Sequence, residues 1–235
     1  MATRFWFQST GSPSISPNFD AGWEQTGSAT RRPMTDKKQA STVSALTNSS
    51  AITIPITTTQ QILAYQFISD QIFLPVRLDA SVLFSMVVRC SENATTNNAF
   101  LAYVLRALGV DGSNTVLATL ASSMTNAGTE FAVTASAATR IFGNGTTTVA
   151  LTASSLLQPW RLCLEFGAHA QAPTAAGSFI QRIGCDNASD FALTSALTTN
   201  LNPWMELSVN LKALTSNNHK SIKAASGMSV GDRIR

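Results

Sequence analysis

An all-β protein, an antiparallel β-sandwich of jelly-roll-like form, is what this sequence predicts. Three observations predict it. Stretches in which apolar and polar side chains alternate with period two recur through the middle of the chain. Turn signals built on Gly, Asn and Asp separate them at intervals of roughly 8–15 residues, as in sandwiches and barrels. No stretch of useful length carries the 3.6-residue periodicity of an amphipathic helix.

The elements follow in order. Residues 1–50 are read as an extended arm. Ser, Thr, Gly, Pro, Ala and Asn dominate it, with Pro13, Pro17 and Pro33 as breakers. It nevertheless carries isolated large side chains, Phe5, Trp6, Phe7, Phe19 and Trp23. Spaced aromatics of this kind suit a segment that lies across a partner, where aromatic and Arg anchors concentrate binding energy. From Ile52 the period becomes two, and Pro55 marks an edge or bent strand. Strands are expected over 61–69, 81–90, 100–108, 115–121, 130–137, 160–166, 178–185 and 204–211, with a helix as the alternative for 116–125. Val110 to Asn114, Asn126-Ala127-Gly128 and Gly143-Asn144-Gly145 supply turns. In 160–166, Trp160, Leu162, Leu164 and Phe166 share one face, and Arg161, Cys163 and Glu165 the other. In 204–211, Met205, Leu207, Val209 and Leu211 point inward. The body therefore spans 51–213, and a basic C-terminal tail spans 214–235.

Composition narrows the class. Of 235 residues 44% are hydrophobic and 12% charged, about half the ~25% charged share of an ordinary soluble domain. Small neutral side chains replace the charges: 27 Ser, 28 Thr and 32 Ala. Whole-chain disorder would need low hydrophobicity with high net charge and is not expected. No apolar run approaches the ~18 residues of a membrane-spanning helix. Met1 to Gln8 has one positive charge but no apolar run behind it, so it does not read as a secretory signal.

Charge is unevenly spread. Residues 1–50 carry five Lys/Arg against three Asp/Glu, residues 51–213 seven against nine, and residues 214–235 four against one. A slightly acidic body with basic ends suits arms that seek an acidic partner. Direct nucleic-acid binding is not expected, because Arg31-Arg32 and Lys37-Lys38 are only two basic pairs, sparse for phosphate recognition.

Catalytic parts are few. His169 and His219 have no Asp, Glu or His at ligand spacing, and neither HExxH nor GxSxG occurs. Cys90, Cys163 and Cys185 lack any CxxC pairing and read as small buried hydrophobes. Asp186 and Asp190 lack the remaining ligands of a calcium loop. Gly143-Asn144-Gly145-Thr146 is a hairpin signal without a phosphate-binding Lys. Glu165 with Glu206 would form a glycosidase dyad only if their strands were neighbours. No enzyme, metal or cofactor is therefore expected.

The opening Ala2-Thr3-Arg4-Phe5-Trp6-Phe7, followed by Phe19-Asp20-Ala21-Gly22-Trp23-Glu24 and Arg31-Arg32, resembles the start of small structural proteins of tailed bacteriophages. Leu197 to Ser208, with Asn202-Pro203-Trp204-Met205 at its centre, is similar to a closing strand of the same group. The two patches cover about a fifth of the chain and contain no catalytic motif. The resemblance implies a non-enzymatic virion component with a jelly-roll-like body, made in the host cytoplasm and released by lysis. It implies a homo-oligomer whose partners are the major capsid protein or other virion subunits, with no membrane involved. The leading expectation is a capsid decoration or cement protein. Phe5, Trp6, Phe7, Phe19, Trp23, Arg31 and Arg32 would anchor the arm, and Lys220, Lys223, Arg233 and Arg235 the tail. The alternatives are a neck, tail or fibre component, or a carbohydrate-binding module that stacks sugars on Trp160 or Trp204.

Overall fold

The computed structural model describes residues 2–38, 46–47, 52–54, 58–73, 75–110, 115–125, 130–131, 133, 138–142, 149–150, 152, 154–157, 159–183 and 203–211. These residues form strands and no helix, so among the described residues no helix is long and apolar enough to cross a membrane. The first strands are β1 (Thr3–Phe7), β2 (Thr30–Thr35), β3 (Leu46–Thr47), β4 (Ile52–Ile54) and β5 (Gln60–Ser69). The middle ones are β6 (Val76–Leu78), β7 (Leu83–Glu92), β8 (Ala99–Gly109), β9 (Val116–Ser123) and β10 (Ala138–Phe142). The last are β11 (Val149–Ala150), β12 (Ser154–Leu156), β13 (Trp160–Ala170), β14 (Gly177–Ile183) and β15 (Trp204–Leu207).

One large sheet runs β3-β14-β7-β15-β1-β2-β5-β13-β8-β9, with β4 on β14 and β10 and β11 on β7, while β6 and β12 form a separate pair. Pairing is antiparallel throughout the named strands except between β2 and β5. The sheet curls into a nearly closed barrel. Strands β7 and β8 lie six steps apart along the sheet, yet the rings of Phe84 and Tyr103 are 5.6 Å apart. The gap is bridged by Phe131, whose N–H donates to Ala99 O at 2.8 Å, and by Val133, which pairs with Glu92.

The frame is β5, β13 and β8, three long strands, with β13 in unbroken register against β8 and one bulge against β5. Leu162 to Ala170 and Leu101 to Gly109 are buried without interruption. Such a pattern marks strands covered on both faces. The inward face of 160–166 is the one expected, with Trp160, Leu162, Leu164 and Phe166 in the main core. Phe7 stacks on Phe67 at 4.6 Å, and both rings lie 5.5 Å from Phe166. The segment 116–125 resolves as strand rather than helix, over Val116–Ser123.

Three expectations need correction. Residues 3–35 are not an arm separate from the body: β1 is inserted between β15 and β2, and β2 lies along β5. A short run such as Thr3–Phe7 is weak on its own, but its two neighbours satisfy its backbone and the core takes Phe5 and Phe7. The sheet is not uniformly antiparallel, because β2 enters after a long excursion rather than a hairpin. Within 130–137, the described residues Phe131 and Val133 make isolated bonds and no ladder.

Since Phe7 is 1% exposed and central to the ring stack, Phe7→Ala is expected to cost about 3–5 kcal/mol. A lowered urea midpoint would show it. A midpoint unchanged from the parent chain would mean that β1 contributes nothing to the core.

Candidate functional site

The outer face of β5, β13 and β8 carries three neighbouring polar side chains, Glu165 opposite Gln66 and diagonal to Arg106. A polar outer face would ordinarily meet water. Here the excursion between β1 and β2, residues 8–29, crosses it as a strap. Trp23, with Phe19 and Ala29 partly buried beside it, packs on Leu63, Ala102 and Val104. Ile15 packs on Ile68, Leu108 and Cys163. At its far end the strap adds backbone bonds, Gln25 N–H to Gln61 O at 3.1 Å and Leu63 N–H to Gln25 O at 2.9 Å.

Glu165 is fully buried beneath the strap. It accepts from Trp23 Nε1 at 2.7 Å, from Gln66 Nε2 at 2.7 Å and from Asp20 N–H at 3.0 Å, and it forms an ion pair with Arg106. Arg106 Nη2 also donates to Asn18 O at 3.0 Å. Arg31 reaches the same network, donating from Nε to Gln66 Oε1 at 2.8 Å and from Nη2 to Pro17 O at 3.2 Å. A buried carboxylate and guanidinium supplied with this many partners form a clamp for the strap. With both carboxylate oxygens engaged and no open approach, Glu165 has no access to a substrate.

Glu206 lies elsewhere. It sits on β15, separated from β13 by β1, β2 and β5, and pairs with Arg4 at 3.0 Å. The glycosidase alternative therefore loses its geometry. Trp160 and Trp204 are 0% and 1% exposed, so neither presents a ring for a sugar. The Arg4 guanidinium lies 3.8 Å over the Trp204 ring, completing its cover.

His169 is buried against Gln61, whose Nε2 lies 3.2 Å from Nδ1. Burial holds its pKa below the ordinary imidazole value, with the Glu24 charge opposing weakly. Burial likewise pushes the Cys163 thiol up to about 12, with the Glu165 charge adding to it. Such a thiol is not a nucleophile near neutral pH. Cys90 is buried as well, while Cys185 lies outside the described residues. Among the described residues, no three His, Cys, Asp or Glu side chains come together as a metal site.

The assembly anchors expected from sequence fall into four sets. Phe5, Phe7 and Trp23 are buried in this chain's own core, so they are not anchors offered to a partner. Trp6 and Phe19 are half-buried, Trp6 with the Lys38 ammonium 6.0 Å from its ring and Phe19 with the Arg31 guanidinium 4.1 Å above its own. Arg31 holds the strap, and Arg32 Nη1 donates to Gly11 O at 3.3 Å. Lys220, Lys223, Arg233 and Arg235 lie outside the described residues.

A different surface stands out. Among the described residues six large hydrophobic side chains are exposed, and five of them, Phe73, Leu83, Val116, Leu117 and Leu157, lie at one end of the barrel. Register places them there. Trp160 opens β13 opposite Gly109 at the end of β8, and Leu108 faces Val116 at the start of β9. Ile72 bridges Trp160, and Leu157 precedes Trp160 by three residues. Thr3 pairs with Leu207, which in turn pairs with Phe84 beside Leu83. Single exposed hydrophobics are ordinary, but their gathering at one place marks an interaction surface. Leu157, at 75% exposure, is the most prominent. A cleft of about 240 Å³ opens at the same end, with Phe5, Met34, Ile72 and Leu211 as apolar lining and Asp36 and Asp70 at its polar margin.

Sequence reasoning missed this end. Its one local signal is the apolar doublet, Val116-Leu117 or Leu156-Leu157, because on a strand with alternating faces one member of a doublet must point outward. No protein-family model, curated protein or solved structure matches the chain.

Proposed function

We propose that the protein is a non-enzymatic structural component of a tailed-bacteriophage virion, a capsid decoration or cement protein. On this reading a jelly-roll-like body stands on the shell of major capsid protein, apolar end down. The observation that carries the reading is the concentration of Phe73, Leu83, Val116, Leu117 and Leu157 at one end of a barrel. The resemblance of the two terminal patches to phage structural proteins supplies the partner. The buried clamp around Glu165 supports a rigid, non-catalytic module, since its most unusual polar group serves the fold.

A second reading is favoured by β9. Among the described strands it pairs only with β8, leaving a second edge whose Leu120 O accepts Thr152 N–H at 2.8 Å. An edge bearing exposed Val116 and Leu117 suits strand addition between copies, as in a ring or trimer at the neck, tail or fibre.

The test is add-back to particles assembled without this protein. Phe73→Asp, Leu117→Asp and Leu157→Asp together are expected to leave the melting temperature nearly unchanged, because exposed sites typically contribute within ~0.5 kcal/mol. The same variant is expected to lose co-sedimentation with capsids. Capsid binding equal to that of the parent chain sinks the attachment surface. Binding confined to tails selects the second reading.

A further inference from the structure

The strap has a second attachment beyond the Glu165 clamp, and a titratable ring lies at it. Gln61 O accepts from Glu24 N–H at 3.0 Å and from Gln25 N–H at 3.1 Å, and Gln61 N–H donates to Glu24 Oε2 at 3.0 Å. The Gln61 side chain reaches two further groups: Nε2 lies 3.2 Å from Met124 O and 3.2 Å from His169 Nδ1. Met124 packs in turn on the cluster around Trp23. A main-chain carbonyl only accepts, so Met124 O fixes the amide nitrogen, rather than the amide oxygen, on this side. That nitrogen has two hydrogens, one for Met124 O and one for Nδ1. His169 Nδ1 is therefore bare, and the ring carries its proton on Nε2. The ring is 5% exposed. Gln61 on β5 and Phe100 on β8 flank it by register without charge, and among the described residues the charge that acts on it is the Glu24 carboxylate.

We propose that His169 and Gln61 form an acid-sensitive latch, in which the neutral imidazole keeps Glu24 and Gln25 of the strap docked and protonation at Nδ1 releases them. A proton on Nδ1 meets an N–H donor where an acceptor is needed. Turning the amide over would satisfy the ring but set the amide oxygen against Met124 O. Either arrangement leaves a buried polar group without a partner, beside a charge withdrawn from water. Freeing the strap at Glu24 and Gln25 admits water and removes both penalties. Burial holds the docked ring below its ordinary pKa of 6.5, with Glu24 opposing only in part. The undocked ring returns towards 6.5, so it is the undocked state that binds the extra proton. Docking is therefore fully favoured above about pH 6.5 and weakens as pH falls below it. The latch does not depend on what the apolar end attaches to.

Amide hydrogen exchange of the full chain between about pH 5.5 and 8, above the ordinary carboxylate range, tests it, with rates corrected for the intrinsic pH dependence of exchange. The Gln25 and Leu63 amides report docking, since they donate to Gln61 O and Gln25 O. Their opening constant is expected to stay flat above pH ~6.5 and to rise by up to about tenfold per pH unit below it, as one proton is taken up. The Asp20 amide, held by Glu165, is expected to show no such rise. His169→Gln keeps an acceptor and cannot charge, so its profile is expected to be flat throughout. A flat profile in the parent chain, or a rise that persists in His169→Gln, would overturn the proposal. A rise shared by the Asp20 amide would do so too, by placing the titration at the Glu165 clamp. Nitrogen NMR of the unaltered chain gives a check that needs no variant to fold. At pH ~8 the His169 ring is expected to show a bare Nδ1 and a protonated Nε2, and the opposite tautomer would remove the latch.

Discussion

Glu165→Ala is expected to bring the protein close to unfolding, at a cost of about 3–5 kcal/mol, the range for removing one partner of a buried ion pair. Total stabilities are only ~5–15 kcal/mol. The side chain is fully buried, and Arg106 is 4% exposed. Its loss leaves a guanidinium without its counter-ion, and the Trp23 indole, the Gln66 amide and the Asp20 N–H without their acceptor. The strap should therefore loosen before the barrel does. Urea unfolding followed both by Trp23 emission and by far-ultraviolet circular dichroism would separate the two events, with Trp23→Phe identifying the indole's share. Arg106→Met combined with Glu165→Leu should recover most of the loss, because well-packed apolar replacements of buried ion pairs are often neutral. A cost below ~1 kcal/mol for Glu165→Ala would show that water reaches the network and that the strap is not clamped there.

Gly167→Ala should be at least as damaging. The register of β13 against β5 shifts between Phe166 and Gly167, the former facing Tyr65 and the latter Leu63. At this bulge the neighbouring backbone comes so close that a Cβ on Gly167 would lie 1.9 Å from Ile62 O and 2.9 Å from Leu63 Cα. Both obstacles are main chain in the middle of the frame and cannot rotate aside. Relief requires opening the β5–β13 ladder, and costs above ~4 kcal/mol belong to mechanisms of this severity. The expected result is a chain recovered in the insoluble fraction or lacking the parent's cooperative melt. A variant melting within a few degrees of the parent would show that the two strands can separate at the bulge.

Much of the frame is legible in the sequence, and for a definite reason. On β13, Trp160, Leu162, Leu164 and Phe166 alternate with Arg161, Cys163 and Glu165, and period two is a local property that needs no knowledge of the partner strands. β5, β7 and β8 are legible instead as short, mostly apolar runs of strand length. What alternation does not reveal is whether the second face meets water. Glu165 looks like a solvated residue until the strap is placed over it, and Asp20 and Trp23, which complete its environment, are more than 140 positions away. The early strands were obscured for a related reason. Thr30–Thr35 contains Pro33 and two arginines, and its strand character comes from lying along β5. Of the candidate site, the apolar doublets are visible but their meeting at one end is not, since that depends on which strand ends the register aligns.

The pairing of β1 with β15 has a consequence for biogenesis. Thr3 faces Leu207, its hydroxyl donates to Val209 O at 2.9 Å, and Leu211 N–H donates back to it at 2.7 Å. β1 thus waits for a strand some 200 positions further along the chain. Until residues 204–211 emerge from the exit tunnel, β1 has β2 on one side and a bare edge on the other, and β7 lacks β15. Closure of the barrel therefore follows synthesis of residues 204–211, and contacts this distant in sequence make it slow. Nascent chains stalled before residue 204 should expose β1 and β7 to each other across polysomes and to holdase chaperones.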